Sequence, residues 1–296
     1  MIRNDSTEKR VLKRRIISVI LLVLSAAAIP FLPFAFRAGA GNDPFGDFFA
    51  QKREPYVGVV TVWHIVSFKP YVGSLGSWLE ARAKEYLSSY NNLYFEIRSY
   101  SKEDADAELR RGSAPDILSF AYGSADPCDL YSGDGTEPCA YPYCASGRVI
   151  LFDPSKTDRM TDEEIAEKAG SVSDLKSGKA VSCITDIRGA GDLIRAQLMD
   201  KCPYFEIKPL GSDPELVQYI GIAGSIDEKK LPYAKAFIDH VTGKASQKTL
   251  PSIGLIPISD KVGAEYEQDW LEALYTIVKK YSPSPLYRDI EKKRGM

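Results

Sequence analysis

From Tyr56 to Val66 the chain is nearly continuous in apolar residues and rich in Val, the pattern of a strand covered on both faces. A Ser/Gly-rich connection then leads into a predicted helix from about Ser74 to Tyr90. There Leu79, Ala83, Tyr86, Leu87 and Tyr90 recur at spacings of three and four, which sets one stripe against a sheet. Asn91-Asn92 stops it, and "LYFEIRSY" alternates Leu93, Phe95 and Ile97 as a second strand. Ser101 and Asp104 form a capping-box-like start for a short helix through Arg111, closed by Gly112. "DILSFA" is the third strand. This β-α-β-α-β order predicts right-handed crossovers and a parallel sheet. The loops after Val66 and after Phe120 then open on one edge, beyond the carboxyl ends of the strands, where ligands of open α/β sheets sit.

A turn-rich stretch, Gly123 to Tyr143, interrupts the pattern and leads to a strand in "GRVILFDP". The region after it is shorter and more polar, with one helix, "TDEEIAEKA" from Thr161, and a strand, "KAVSCIT" from Lys179. "ELVQYIGIAGS" from Glu215 reads as a further buried strand. Pro232 starts a helix that aligns Leu231, Ala234, Phe237, Ile238 and Val241 and ends at Gly243. A last helix, roughly Ala264 to Lys280, places Trp270, Leu274, Ile277 and Val278 on one side. The tail "SPSPLYRDIEKKRGM" carries no packing signal, and no internal repeat is present.

The 296 residues allow one or two domains, and 44% hydrophobic with 26% charged residues is ordinary globular composition. The net charge of −2 hides an asymmetry. Residues 1–40 are basic, and residues 41–296 hold fewer Lys and Arg than Asp and Glu. A mildly acidic body excludes a dominant nucleic-acid footprint, which needs a basic face.

Ile16 to Phe36 contains no charged side chain and follows Lys13, Arg14 and Arg15. Such a run is an export signal or a membrane anchor. The basic residues hold its front end in the cytoplasm, so the body is expected on the extracytoplasmic face of the cell membrane. Ala38-Gly39-Ala40 offers a cleavage site, while Pro30, Pro33 and the length of the run suit a retained anchor; both readings stay open. The linker is placed at 41–55. All five cysteines, Cys128, Cys139, Cys144, Cys183 and Cys202, follow it. An oxidising exterior permits disulfides, and Cys128 with Cys139 flanks a turn-rich loop, which makes that pair the candidate bridge. Zinc is disfavoured, because no C-x-x-C is present and neither His64 nor His240 is near these cysteines in sequence.

The stretch from "TVWHIVSF" through "APDILSFAYG" resembles the first lobe of bacterial extracellular solute-binding proteins, the ligand-capturing components of ABC importers, of the maltose type. "YPYCASGRVILFDP" is similar to their first crossover strand, "KAVSCITDIRGAGDL" to the second-lobe segment that turns toward the ligand, and "ELVQYIGIAGSIDEKKLPYAKAFIDHVTGKASQKTLPSIGLIPIS" to the return crossover and the helices after it. The resemblance implies an α/β, periplasmic-binding-protein-like (type II) two-lobed fold with mostly parallel sheets. Lobe I would be 56–147 and 215–282, lobe II 148–214, and the C-terminal tail 283–296. It also implies capture of a small, carbohydrate-like solute and an ABC permease as partner. One departure stands out: only Asp153–Gly178 separates the crossover strand from "KAVSCIT", where the family has a long helical stretch. Lobe II is therefore reduced. The alternative is a membrane-anchored, non-transport interaction module that kept the fold and lost its cleft.

Candidate ligand residues sit at the strand ends. Trp63 either stacks on a ligand ring or caps the core, and His64 is either a ligand contact or a hydrogen-bonded structural group. Ser67 and Phe68 follow on the same loop. Ser119 and Tyr122, with Gly123, hold the analogous place after the third strand and can orient a ligand by hydrogen bonds. On the opposite side Thr185, Asp186 and Arg188 match the family's ligand-facing turn, although an Asp–Arg pair also reads as a surface salt bridge. The G-x-G from Gly189 is weak evidence for phosphate. The sequence contains no G-x-S-x-G, P-loop or H-E-x-x-H, so neither an enzyme nor a cofactor is expected.

Overall fold

The structure, a computed structural model, describes residues 57–87, 93–133, 136–211, 216–259 and 261–288. The apolar run Ile16–Phe36 and the linker 41–55 lie outside them. Among the described residues no helix is long and apolar enough to cross a membrane.

The first three strands follow the sequence pattern. β1 (Gly58–Ile65) leads through α1 (Leu75–Leu87) to β2 (Leu93–Tyr100), then through α2 (Lys102–Arg110) to β3 (Ile117–Ala121). β1 lies between β2 and β3 and is parallel to both. Its alternation sorts two faces. Val60 and Val62 pack with Leu75, Leu79 and Ala83 of α1, whereas Trp63 and Ile65 join Ala105 of α2 in a separate cluster. Ser101 caps α2 by accepting from the Asp104 amide.

The chain then leaves this sheet and returns. β4 (Pro138–Ala145) runs directly into β5 (Arg148–Phe152). There follow α3 (Pro154–Thr157), α4 (Asp162–Glu167), β6 (Ala169–Gly170), α5 (Val172–Lys176), β7 (Ser182–Asp186), α6 (Ile187–Leu198) and β8 (Glu206–Gly211). β9 (Val217–Ile222) re-enters the first sheet. α7 (Leu231–Thr242), α8 (Lys244–Gln247), β10 (Ile256–Pro257), α9 (Asp269–Tyr281) and β11 (Leu286–Tyr287) complete the order. The first sheet runs β10-β4-β9-β3-β1-β2 with β11 on β4, and the second runs β6-β7-β5-β8.

The sheets are mixed, not mostly parallel. β9 is antiparallel to β3 and β4, β4 is antiparallel to β10 and β11, and β5 is antiparallel to β7 and β8. The cause is the excursion itself: the chain exits along β4 and comes back along β9, so the returning strand points the other way. The tail also departs from expectation, because Leu286 and Tyr287 pair with β4. The last helix begins at Asp269, later than its apolar stripe suggested.

The second sheet has a core of its own. Ala190 and Leu193 of α6 cover Val149, Leu151 and Cys183, and Ile165 of α4 covers Ile150 and Phe152 on the other face. Thr161 and Glu164 form the capping box that starts α4. α9 packs against β8. Residues late in the chain thus bridge the two sheets.

Candidate functional site

The carboxyl ends of β1 and β3 carry a buried polar cluster. His64 on β1 and Ser119 on β3 are 2% and 0% exposed, with Nδ1 3.1 Å from the hydroxyl. The Ser119 hydroxyl lies 2.9 Å from the Tyr143 hydroxyl and accepts from Gln218 Nε2 at 3.1 Å. That same amide nitrogen donates to the Ile65 carbonyl at 3.3 Å. Trp78 stacks on Tyr143 and donates its indole N–H to Thr249. Burial holds the His64 imidazole down to about 4, so it is neutral at physiological pH. It also raises the Tyr143 hydroxyl well above its usual value. A serine beside a histidine suggests a nucleophile, but a group with no solvent access and three hydrogen-bonding neighbours has no substrate to attack. The cluster orders the strand ends.

The remaining candidates do not converge with it. Trp63 is buried, edge-on to Tyr100 at 5.1 Å, and caps the core on the α2 side. Ser67 is exposed, and Phe68 turns into the core under α1. Tyr122 stands 52% exposed beside Tyr219. Thr185 lies half-buried on β7, and Asp186 caps α6 by accepting from the Gly189 amide at 2.9 Å. Cys128 and Cys139 are thiols. Cys139 is buried in the sheet and donates to the Leu286 carbonyl; burial first raises its thiol, and Cys128 adds to the rise. Among the described residues no group of His, Cys, Asp and Glu is placed to hold a metal ion.

Arg188 does reach across, and it leads to a residue that the sequence reading passed over. Its guanidinium donates to the Tyr71 carbonyl at 3.4 Å. Tyr71 belongs to the β1–α1 loop, which the Val72 amide ties to the Ile253 carbonyl. The phenol ring enters the space between that side of the molecule and α6. A Cβ on Gly191 of α6 would lie 2.6 Å from the ring, and one on Gly254 would collide with the Tyr71 Cβ. Gly254 also has φ +74°, so it is doubly restricted to glycine. The Arg195 guanidinium lies over the ring at 5.6 Å and Trp270 flanks it at 6.3 Å. Asp192 holds both Arg188 and Arg195.

Tyr71 is therefore seated between glycines, an indole and two arginines, where the two sheets meet. Nearby Ile187 at the start of α6 is wholly buried, in the cluster that also holds Trp63 and Leu274. The G-x-G at Gly189 was the legible trace of this seat. Its second glycine makes room for a ring and not for a phosphate.

No family model matches the chain, and no curated protein matches it in sequence. Solved structures do resemble it. The maltodextrin-binding protein from L. casei BL23, without ligand, aligns over 81% of this chain and 90% of its own with TM-score 0.53 and 12% identity. The galacto-N-biose-/lacto-N-biose I-binding protein of the ABC transporter from Bifidobacterium longum, in complex with lacto-N-biose, aligns over 76% of this chain and 84% of its own with TM-score 0.52 and 10% identity. At such identities the likeness is one of fold: this chain has the mixed α/β, periplasmic-binding-protein-like fold of these two proteins.

Proposed function

We propose that the chain is an extracytoplasmic solute-binding protein that captures a carbohydrate-like small molecule between two lobes, 56–147 with 215–282 and 148–214, and passes it to an ABC permease. The observation that carries this reading is the Tyr71 seat. A planar ring held between glycines, an indole and a pair of arginines bridged by Asp192 has the chemistry of a sugar subsite. Aromatic faces cover the ring and charged groups orient its polar edge. The protein's own phenol fills it. Capture then requires Tyr71 to leave, and closure around the solute supplies the burial.

A second reading rests on the same contact. If Tyr71 never leaves, the fold is a membrane-anchored interaction module with a self-filled cleft, and the complete burial of Ile187 favours that. A thermal-shift screen of the whole chain against sugars, oligosaccharides, amino acids and anions separates the two. A ligand at one hundred times its Kd adds about 2.7 kcal/mol, a rise of roughly 5–10 °C for a body of this size. No rise with any carbohydrate contradicts the solute-binding reading.

The location has its own test. With Ile16–Phe36 as signal or anchor, protease added to intact protoplasts is expected to digest the body. Protection equal to that of a cytosolic control would place it inside.

A further inference from the structure

A cavity of about 240 Å³ opens between α7, the start of β4 and the Tyr131–Ser132 segment before it. Its wall is preformed. The Tyr131 amide donates to the Ile222 carbonyl at 2.8 Å, and the Leu130–Ala223 bridge holds the segment beside the end of β9. The polar groups around it are reachable from solvent. Tyr141 is 38% exposed, the Lys235 and Glu137 side chains are 48% and 60% exposed, and Asp239 is exposed as well.

Lys235 and Asp239 lie one turn apart on α7, where side-chain stems stand about 5–6 Å from each other and opposite charges are within reach. They do not pair. Lys235 instead turns over the Tyr131 ring at 5.4 Å and comes no nearer to Glu137 than 3.9 Å, and among the described residues Asp239 has no ion-pair partner. Ser132 adds an independent sign. It lines the same cavity, is 3% exposed, and its hydroxyl has no hydrogen-bond partner. Such a group is costly to bury, and a ligand that bonds to it recovers that cost. The Tyr141 phenol is raised first by burial and then by the charges of Glu137 and Asp239, so both carboxylates act on it.

These groups select by charge. A free anion meets two carboxylates, and a simple amine meets the Lys235 ammonium. A molecule with both charges on one small frame meets each with its opposite. The volume is below the roughly 300–1,000 Å³ usual for drug-sized ligands, so few atoms fit beyond the charged head. We propose that this cavity is a second binding site, separate from the Tyr71 seat, for a small zwitterionic α-amino acid. Its ammonium would lie against Asp239 and the Ser132 hydroxyl, and its carboxylate against Lys235.

Calorimetry on the full chain with L-alanine, ethylamine and propanoate tests it, since the three carry both charges, the cation alone and the anion alone. L-alanine should bind at least about tenfold more tightly than either of the others. Asp239→Asn and Lys235→Gln, both at exposed positions, should each reduce its affinity roughly tenfold. Ser132→Ala should reduce it about fivefold and leave the Tm of the ligand-free chain at or above that of the wild type, because the hydroxyl has no partner there to lose. Absence of L-alanine binding, equal affinity for ethylamine or propanoate, or full affinity in Asp239→Asn or Ser132→Ala would each overturn the proposal. A fall in the ligand-free Tm of Ser132→Ala would do the same, by showing that the hydroxyl already serves the fold. None of these outcomes bears on the Tyr71 seat.

Discussion

Replacing Asp116 by Ala is expected to destabilise the fold by about 3–5 kcal/mol, the range found when a buried ion pair loses one partner. Asp116 is 7% exposed. One carboxylate oxygen accepts from the Thr61 amide at 2.8 Å, from the Thr61 hydroxyl at 2.9 Å and from Lys230 Nζ at 2.8 Å, and the other accepts from Lys230 at 3.1 Å. One side chain thus ties the middle of β1 to the entry of β3 and to the start of α7. Truncation leaves a mostly buried ammonium without its counter-charge and an amide without an acceptor. Unfolding in urea measures the loss. Lys230→Met in the Asp116→Ala background should restore part of it, since the stranded charge is gone. A loss below about 1 kcal/mol would mean that water replaces the carboxylate and that this tie carries little.

The second large effect is a dependence on pH. His64 is held down to about 4 in the folded chain by burial and returns to about 6.5 when unfolded. Between those values the unfolded chain binds a proton that the folded chain refuses. Stability therefore falls as pH drops below about 6.5 and levels off near 4, by about 3 kcal/mol in all. Above pH 7 the imidazole is neutral in both states and contributes no slope. Carboxylates add their own losses at the acid end, so the comparison is with His64→Gln measured across pH 5–7. The wild type should lose stability over that interval and the variant much less. Parallel profiles would show that His64 is not the group responsible.

Much of the fold was legible because local patterns agree with tertiary demands. The Val-rich β1, the alternation in β2, the Ser101 cap and the helix "TDEEIAEKA" from Thr161 each state one element, and each is observed. β4 was hidden by its prolines. Pro142 sits at the register shift between Pro142 and Cys144, and an irregularity in the ladder is where a sheet tolerates proline. Pro209 disguised β8 in the same way, on the edge of the second sheet. Two glycines within "IRGAGDLIRAQL" concealed α6, because their helical cost is local, while the clearance that Gly191 gives Tyr71 serves a loop far away in sequence and Gly189 makes room for Thr185. The site was legible only in part. Strand ends pointed to His64 and Ser119, but whether a side chain at a strand end faces the cleft or the core is decided by packing. Tyr71 has no periodicity to announce it, and Trp270 and Gly254 meet it only in three dimensions.

The most direct measurement is the ligand response of Tyr71→Ala beside the wild type, by thermal shift and calorimetry with maltose, maltotriose and lacto-N-biose. Removing the ring should lower the stability of the ligand-free protein by about 1–3 kcal/mol and vacate the seat. A solute then no longer competes with the phenol, so at least one carbohydrate should bind the variant about tenfold more tightly than the wild type and raise its Tm more. If no carbohydrate shifts either protein, the space between the sheets is not a solute site, and the self-filled interaction module is the correct reading.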